Sequence, residues 1–471
     1  MRILLPTGAA TYAAVLEVAK GFDAEVVVTG EIASFLTPAT LRDLIKKGEY
    51  DMVIVSGMVT ASFQTVEVET GIPIYLGPRH AADLGRVLSS LDTLPLSRSV
   101  PADDFIAEVK HEEACRKLDE LEWGASYDYV IRGIKIGGTS RIKVLAEIMD
   151  AHRHENLKTA VHQAFRSGAD IVDLGFGFDA TADDVTRCFS LVADVPGPLA
   201  IDTQDPVLIS AGLFRADFVL SLHDGNIPVI GKAVADAGAT AVVVPYQQSL
   251  EENLLLAEQT GITCLIADPL LQPVGSGLVS SLSAFSERFR YPVFFGAGNV
   301  VELLDADSPG MNALLAGMAK ETGASVIFTS EHSDKTQGSV REMRTATEMM
   351  VLVTDRPYPK DLGIDLLILK EKRRRREPPL SYKSLTCASL PEGELRYDPQ
   401  GNFRIGVEDD HIVAVINGRA VKGRLWIDVF DLILKSGDVS LLDHAAYLGK
   451  ELYKAELAIR FGRSFEQDGD F

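Results

Sequence analysis

Residues 143–354 repeat one pattern eight times: a short apolar run is followed by a segment with helical periodicity. Apolar runs that alternate with helices form parallel strands whose two faces are both covered. An open doubly wound sheet uses the same alternation, but eight evenly spaced units are what a closed (β/α)8 barrel requires. The pattern therefore favours a TIM barrel with the strands KVLAEI (143–148), DIVDL (170–174), PLAID (198–202), DFVLSL (217–222), TAVVVP (240–245), TCLIAD (263–268), PVFFGA (292–297) and SVIFTS (325–330).

Two further blocks flank the barrel, so we predict three domains, over residues 1–100, 128–370 and 378–471. The first block alternates short apolar strands with helical segments and predicts a doubly wound, flavodoxin-like α/β domain. A basic run, KEKRRRREPP (370–379), is typical of a solvated linker. Beyond it, strand-like alternation around the turn DPQG and a final amphipathic helix predict a small α+β domain. The apolar stripe of that helix is Leu441, Ala445, Leu448, Leu452, Ala455 and Ile459.

The charge and the cysteine content of the chain exclude several classes of binding partner and site. The formal net charge is −21, from 67 acidic against 46 basic side chains, and such a surface repels nucleic acid and anionic membranes. The four cysteines are far apart and form no CxxC motif, which argues against a disulfide framework or a structural zinc site. No apolar stretch is long enough to cross a bilayer, and no signal peptide opens the chain. We therefore expect a cytoplasmic protein.

Acidic and polar side chains follow the predicted strands. In a closed barrel these strand ends point into one shared mouth, where active sites lie. Each carboxylate alone is explained by a helix cap or an ion pair, because a buried charge without a partner is costly. At least four strands end in carboxylates at equivalent positions, however, and this recurrence favours a functional mouth. In strand order the ends carry Glu147 with Asp150, then Asp173, Asp202, His223 with Asp224 and Asn226, Tyr246 with Gln247, Asp268, Asn299, and Glu331 with His332.

Two kinds of ligand suit so acidic a mouth. Several carboxylates suit Mg²⁺ or Mn²⁺, although the spacing contains no histidine pair or other metal motif. The alternative is a neutral heterocycle rich in N–H donors, because a carboxylate accepts two adjacent hydrogen bonds from an amidine-like edge. A pterin or a guanine-like ring has such an edge.

The motifs GADIVDLGFGF (168–178), LAIDT (199–203) and LIADPLLQPVGSG (265–277) resemble those of a known family. They are similar to the pterin-binding barrels of dihydropteroate synthase and of the methyltetrahydrofolate–corrinoid methyltransferases, over about residues 140–355. The three-block chain as a whole resembles the dihydropteroate synthase-related proteins of archaea and methylotrophs.

This resemblance implies roles for individual residues. Asp173 matches the strand-two aspartate of the synthases, and Asp202 matches the strand-three aspartate that contacts the pterin. Asp268 matches the strand-six aspartate that binds the aminopyrimidinone edge. His332 lies where the synthases carry a strand-eight histidine, which helps to hold the pyrophosphate leaving group.

The chain also departs from the synthase pattern. Glu147 replaces the first-strand asparagine, and Ser221 replaces the strand-four asparagine. The strand-seven lysine is missing, since the sequence there is GNV (298–300), and Ser330 replaces the basic partner of the strand-eight histidine. Asn299 instead matches an asparagine that follows strand seven in the methyltransferases. Pterin binding is compatible with a resemblance to the synthases and to the methyltransferases, whereas the reaction type stays open.

We therefore predict a pterin-binding transferase of folate or tetrahydromethanopterin one-carbon metabolism, resembling dihydropteroate synthase. The alternatives are a pterin-dependent methyltransferase, a non-catalytic pterin carrier or assembly protein and, ranked last, a metal-dependent barrel lyase. Mg²⁺ stays open as a second ligand, and the terminal domains are expected to bind a second copy or a partner protein. We predict catalytic roles for Asp173, Asn299 and His332, and pterin contacts for Glu147, Asp202, Ser221 and Asp268.

Overall fold

The computed structural model describes residues 1–46, 48–287, 289–353, 359–360, 362–370, 382–388 and 397–469. The chain forms two compact units. The first consists of Met1–Asp128, Gly137–Arg141 and Thr345–Asp365, and the second consists of Tyr129–Ile136, Ile142–Arg344 and Leu366–Phe471. Among the described residues, no helix is both long and apolar enough to cross a membrane.

A parallel sheet with the strand order β2-β1-β3-β4 forms the centre of the first unit. Buried residues of α1 and α4 pack on one face of this sheet, and those of α2 and α3 pack on the other. The predicted doubly wound domain is therefore confirmed. Its elements are β1 (Ile3–Thr7), α1 (Tyr12–Ala19), β2 (Ala24–Val28), α2 (Pro38–Ile45), β3 (Met52–Val55), α3 (Gln64–Thr70), β4 (Ile74–Leu76), α4 (Leu84–Ser89) and α5 (Ala102–Gly124).

Helix α5 was not predicted from the sequence. Its hydrophobic periodicity is weak, because only Ala102 and Ala114 are buried along its 23 residues. Its N-terminal end packs in a small apolar cluster through Ala102, and ion pairs fix its first turn. The Arg79 guanidinium donates to Asp103 at 2.8 Å and to Asp104 at 2.6 Å, and the Arg79 backbone N–H donates to Asp103 at 2.9 Å.

The eight predicted strands of the second unit are all present, and they close into a parallel barrel. Every strand pairs in parallel with the next, and β14 pairs with β7 to complete the circle. The strands are β7 (Lys143–Ile148), β8 (Ile171–Gly175), β9 (Leu199–Asp202), β10 (Phe218–Leu222), β11 (Thr240–Val243), β12 (Leu265–Ala267), β13 (Val293–Phe295) and β14 (Ala324–Ser330). The helices are α6 (Leu157–Arg166), α7 (Ala182–Leu191), α8 (Pro206–Gly212), α9 (Ile227–Ala237), α10 (Leu250–Gln259), α11 (Leu278–Ala284), α12 (Gly298–Val301), α13 (Ser308–Glu321) and α14 (Ser339–Leu352).

A β-hairpin fills the N-terminal end of the barrel. Its strands, β5 (Tyr129–Ile131) and β6 (Ile134–Ile136), precede the first barrel strand in the chain. Ile136 is fully buried in the apolar layer inside the barrel. The Tyr129 hydroxyl donates to the carbonyl of Leu265 at 3.3 Å, where β12 begins. Arg132, in the hairpin turn, pairs with Asp217 at 2.7 Å, just before β10.

The C-terminal part of the second unit is a small α+β domain, as predicted. Its elements are β15 (Arg404–Glu408), β16 (His411–Ile416), β17 (Arg419–Gly423), α15 (Trp426–Ser436) and α16 (Leu442–Phe461), and the three strands are antiparallel. Of the predicted stripe on α16, Leu448, Leu452 and Ala455 are fully buried.

The hairpin turns of this sheet differ from the predicted one. They lie at Asp409–Asp410 and Asn417–Gly418, where both residues of each turn have positive φ, as two-residue hairpins of the primed types require. The turn DPQG is present, since the Gly401 N–H donates to the Asp398 carbonyl at 3.0 Å. However, the residues before it, 389–396, and the basic run at 371–376 lie outside the described residues.

Candidate functional site

A layer of carboxylates lies directly above the apolar interior of the barrel. Leu145, Ile171, Ala200 and Ile266 point inward and are buried in the barrel core. Side chains along a strand alternate between its two faces. The residues two positions further along, towards the C-terminal ends, therefore face inward as well. They are Glu147, Asp173, Asp202 and Asp268.

Three of these carboxylates form a cluster, which we call the acidic triad: Glu147, Asp173 and Asp202. Glu147 pairs with Asp173 across β7 and β8, and Asp202 pairs with Gly175 across β8 and β9. Each residue contributes a carboxylate oxygen, and these oxygens lie within 4.8 Å of one another. Asp173 is 0% exposed, and within the described residues neither of its oxygens has a hydrogen-bond partner.

Two small residues make room for the triad. A Cβ atom at Gly175 would lie 2.9 Å from the Glu147 Oε1, so the absent side chain leaves space for this carboxylate. Ser330 pairs with Glu147 on the other side, in β14. Ser330 is 4% exposed, and its hydroxyl has no hydrogen-bond partner among the described residues. The triad thus adjoins a buried, neutral oxygen atom.

The triad resists ionisation. Burial raises the pKa of Glu147 to about 7, and the charges of Asp202, Glu302 and Asp150 add to this effect. Burial likewise raises the pKa of Asp202 to about 6. For Asp173, burial first and then the charges of Asp202 and Glu147 raise the pKa well above its ordinary value. A desolvated carboxylate cluster of this kind needs protons or a cation to balance it.

Asp268 faces the same mouth from β12. It is 6% exposed, and its Oδ1 accepts a hydrogen bond from the Leu270 N–H at 2.8 Å. Burial raises its pKa to about 7, with a contribution from the charge of Asp202, while the Leu270 hydrogen bond acts in the opposite direction. Within the described part of the chain its Oδ2 accepts no hydrogen bond, so Asp268 keeps an acceptor for a ligand.

The residues after strands four and five mainly hold the rim loops together. Asn226 donates to the carbonyls of Ser221 at 3.1 Å and Gln204 at 3.2 Å, which joins the loops after β9 and β10. Ser221 itself is half-buried at the end of β10. The His223 ring lies 4.4 Å from the Tyr246 ring between centroids, and burial lowers the His223 pKa. Of this group only Ser221 was predicted to contact the ligand.

Asn299 and His332 differ from the triad because both are exposed. A Cβ atom at Gly296 would lie 3.0 Å from the Asn299 Nδ2, so the amide of Asn299 lies against the end of β13, beside the inward row. The His332 backbone N–H donates to the Glu302 Oε1 at 3.1 Å. Among the described residues, no hydrogen bond or ion pair joins the His332 ring to the carboxylate layer.

Glu302 is a site residue that the sequence analysis missed. Besides the His332 N–H, it accepts hydrogen bonds from the Ser333 hydroxyl at 2.5 Å and the Thr336 hydroxyl at 2.7 Å. It therefore fixes the loop after β14, and its charge acts on Glu147. The sequence shows Glu302 only as a glutamate one helical turn beyond GNV. Its hydrogen-bond partners lie about thirty residues further along, so this position alone did not indicate a role.

Known proteins match the chain in different regions. The family model described as PterinBD-DUF4346 matches residues 397–468, which span the C-terminal sheet and its two helices. Dihydropteroate synthase of Yersinia pestis is 19% identical, with 48% of this chain and 98% of the synthase covered and a TM-score of 0.37. The enzyme of Thermus thermophilus is 18% identical, with coverage of 44% and 91% and a TM-score of 0.37. Likenesses this distant transfer no residue roles.

A curated relative matches over the whole length. The uncharacterized protein MJ0107 of Methanocaldococcus jannaschii is 33% identical over 519 aligned positions, which cover 100% of this chain and 99% of the relative. The chain therefore belongs to the same family as this archaeal protein.

Proposed function

We propose that the barrel mouth binds a pterin and that the protein transfers a one-carbon unit carried by this pterin. It would act as a cytoplasmic transferase of folate or tetrahydromethanopterin metabolism. The observation that carries this proposal is the carboxylate layer, in which Asp268 and Asp202 present acceptors from opposite parts of the barrel wall. The name of the matching family model and the shared fold of the synthases agree with a pterin ligand.

Hydrogen bonding explains the choice of ring. The aminopyrimidinone edge of a pterin presents an amino group beside a ring N–H, and a carboxylate accepts both. We assign this edge to Asp268, whose pKa of about 7 leaves a substantial ionised fraction at neutral pH. Asp202 and Ser221 would accept from the remaining donors, and Glu147 would line the floor beneath the ring.

Two residues are candidates for holding the proton at the reacting ring nitrogen. Burial raises the pKa of Asp173 well above its ordinary value, which favours the protonated form that is able to donate a proton. Asn299 lies at the rim, where its amide is able to orient a water molecule or the reacting nitrogen. His332 is the third proposed catalytic residue, and its exposed side chain would meet an acceptor that enters from solvent.

The charge of the mouth bears on the reaction type. A synthase-like reaction would bring a pyrophosphate group into a mouth whose inward side chains are acidic or neutral. Methyl transfer from a methylated pterin places no such anion there. The mouth's own side chains therefore favour methyl transfer over the synthase-like reaction, because like charges at short range are unfavourable.

Titration of the purified protein with tetrahydrofolate, tetrahydromethanopterin and dihydropterin pyrophosphate tests the proposal. We expect binding of a reduced pterin, weaker binding of the pyrophosphate compound, and transfer of the one-carbon unit once an acceptor is supplied. Stoichiometric pterin binding without turnover across a panel of thiol, amine and corrinoid acceptors would favour a carrier. Binding of none of the three compounds would refute the proposal.

A further inference from the structure

The acidic triad has no counter-ion among the residues that the structure describes. Within the described residues, no lysine, arginine or histidine forms an ion pair with Glu147, Asp173 or Asp202. Fully buried carboxylates are normally paired or bound to metal, because an isolated buried charge is costly. Both oxygens of Asp173 are nevertheless buried without a hydrogen-bond partner in the described part of the chain, and they lie near the carboxylates of the other two residues.

We propose that Glu147, Asp173 and Asp202 bind one divalent cation, Mg²⁺ or Mn²⁺, in the floor of the barrel mouth. The three residues offer oxygen ligands only, which is the donor set that these cations prefer. Oxygen ligands of one such ion lie roughly 3–4 Å apart. The triad oxygens lie within 4.8 Å of one another, so a small inward movement of the carboxylates completes the site.

The surroundings are built to accept such an ion. Gly175 leaves the space that the Glu147 carboxylate occupies, and the buried Ser330 hydroxyl adjoins Glu147 as a neutral oxygen without a partner among the described residues. Three carboxylates leave about half of an octahedral coordination sphere for water or substrate. The ion would supply a positive charge that balances the three carboxylates.

A second acidic cluster of the barrel shows the contrasting arrangement. Asp150, His152 and Asp179 also bring ligand atoms within 4.8 Å of one another. There, however, the Arg153 guanidinium pairs with Asp179 and lies 3.9 Å from Asp150. An arginine already balances that cluster, so we assign no metal to it.

The cation site does not depend on the proposed pterin, but it changes which residue would hold the proton at the reacting ring nitrogen. If Asp173 binds a cation, it carries no proton, and the proton at the reacting nitrogen falls to Asn299. Metal binding must also release the protons that the triad holds in the metal-free protein.

The test uses the full-length protein after treatment with EDTA. Manganese binding is followed by the loss of the free Mn²⁺ signal in electron paramagnetic resonance, and Mg²⁺ is measured by competition. We expect one Mn²⁺ per chain, a loss of affinity of at least about tenfold in Asp173→Asn and in Glu147→Gln, and a much smaller loss in Asp268→Asn, which removes only a neighbouring charge. Thermal melts in EDTA verify that each variant is folded, and Glu147→Gln, the less buried change, decides the outcome if Asp173→Asn does not fold.

Several outcomes would overturn the inference. Absence of Mn²⁺ binding up to about 10 mM, weaker than typical extracellular sites, would do so. Retention of a wild-type site in the folded Glu147→Gln variant would do so as well. Asp268→Asn is designed to lose pterin but keep the metal site, so the two proposals fail separately: a protein that binds no pterin can still bind Mn²⁺.

Discussion

Glu147→Gln should stabilise the metal-free protein at neutral and alkaline pH. Burial holds the pKa of Glu147 at about 7 in the folded protein, against about 4.3 in an unfolded chain. Between these values the folded protein keeps a proton that the unfolded chain has released, so the free energy of unfolding falls as the pH rises. One pKa unit corresponds to about 1.36 kcal/mol. The charge of Glu147 therefore costs up to about 4 kcal/mol above pH 7.

Glutamine keeps the shape of the side chain and removes this cost. At about pH 3 the wild-type protein and the variant should be equally stable, because Glu147 is protonated in both the folded and the unfolded states. The difference should grow between about pH 4 and pH 7 and then remain constant. Urea denaturation in EDTA, followed by circular dichroism, measures it, and hydrogen exchange of β7 and β8 identifies the transition of the barrel.

Glu155→Gln is the matched control, since this glutamate is exposed on the loop after β7. It should change the stability little at any pH. A Glu147→Gln variant that is less stable than the wild-type protein at about pH 8 would refute the reasoning. Such a result would mean that a positive group in the folded protein balances the charge of Glu147.

Four further predictions concern the mouth and its support. Asp268→Asn should weaken pterin binding by about one to two orders of magnitude in calorimetric titration, because a hydrogen bond to a charged group contributes about 1.5–3 kcal/mol. The control Asp205→Asn keeps a helix-capping side chain on α8 and should have no effect on pterin binding. In the wild-type protein, pterin affinity should rise as the pH increases through about 7, since Asp268 ionises there, and a flat profile would contradict the assignment. Gly175→Ala should weaken Mn²⁺ binding with little loss of thermal stability, because the new Cβ displaces only the flexible end of Glu147. Ile136→Ala should lower the stability of the barrel by about 2–5 kcal/mol in urea denaturation, because it leaves a cavity in the core.

Much of the barrel and its carboxylate layer was predictable from the sequence. The eight strands follow from apolar runs, and the two-residue period of a strand places Asp173, Asp202 and Asp268 on the inward face once the core residues are known. Both signals are local. The close approach of Glu147 to Asp173 and Asp202 then depends only on strand pairing in a closed barrel.

The features that were not predicted depend on contacts distant in sequence. The hairpin at 129–136 is short, and it becomes recognisable only because Ile136 enters a core built from later strands. Helix α5 is held at its N-terminal end by Arg79 and by the packing of Ala102 and Ile106 against residues earlier in the chain. The function of Glu302 depends on a loop about thirty residues further along the chain. A single sequence contains no local pattern for any of these contacts.

The hairpin that fills the base of the barrel also determines where an expression fragment of the barrel can begin. The chain enters the second unit at Tyr129, returns to the first at Gly137 and re-enters the second at Ile142. An expression fragment that began at β7 would lack the side chains that close the barrel floor, and it would expose that apolar layer to solvent. A chimaera that joins this barrel to another N-terminal domain must therefore include residues 129–136. These residues belong to the barrel although they precede its first strand in the sequence.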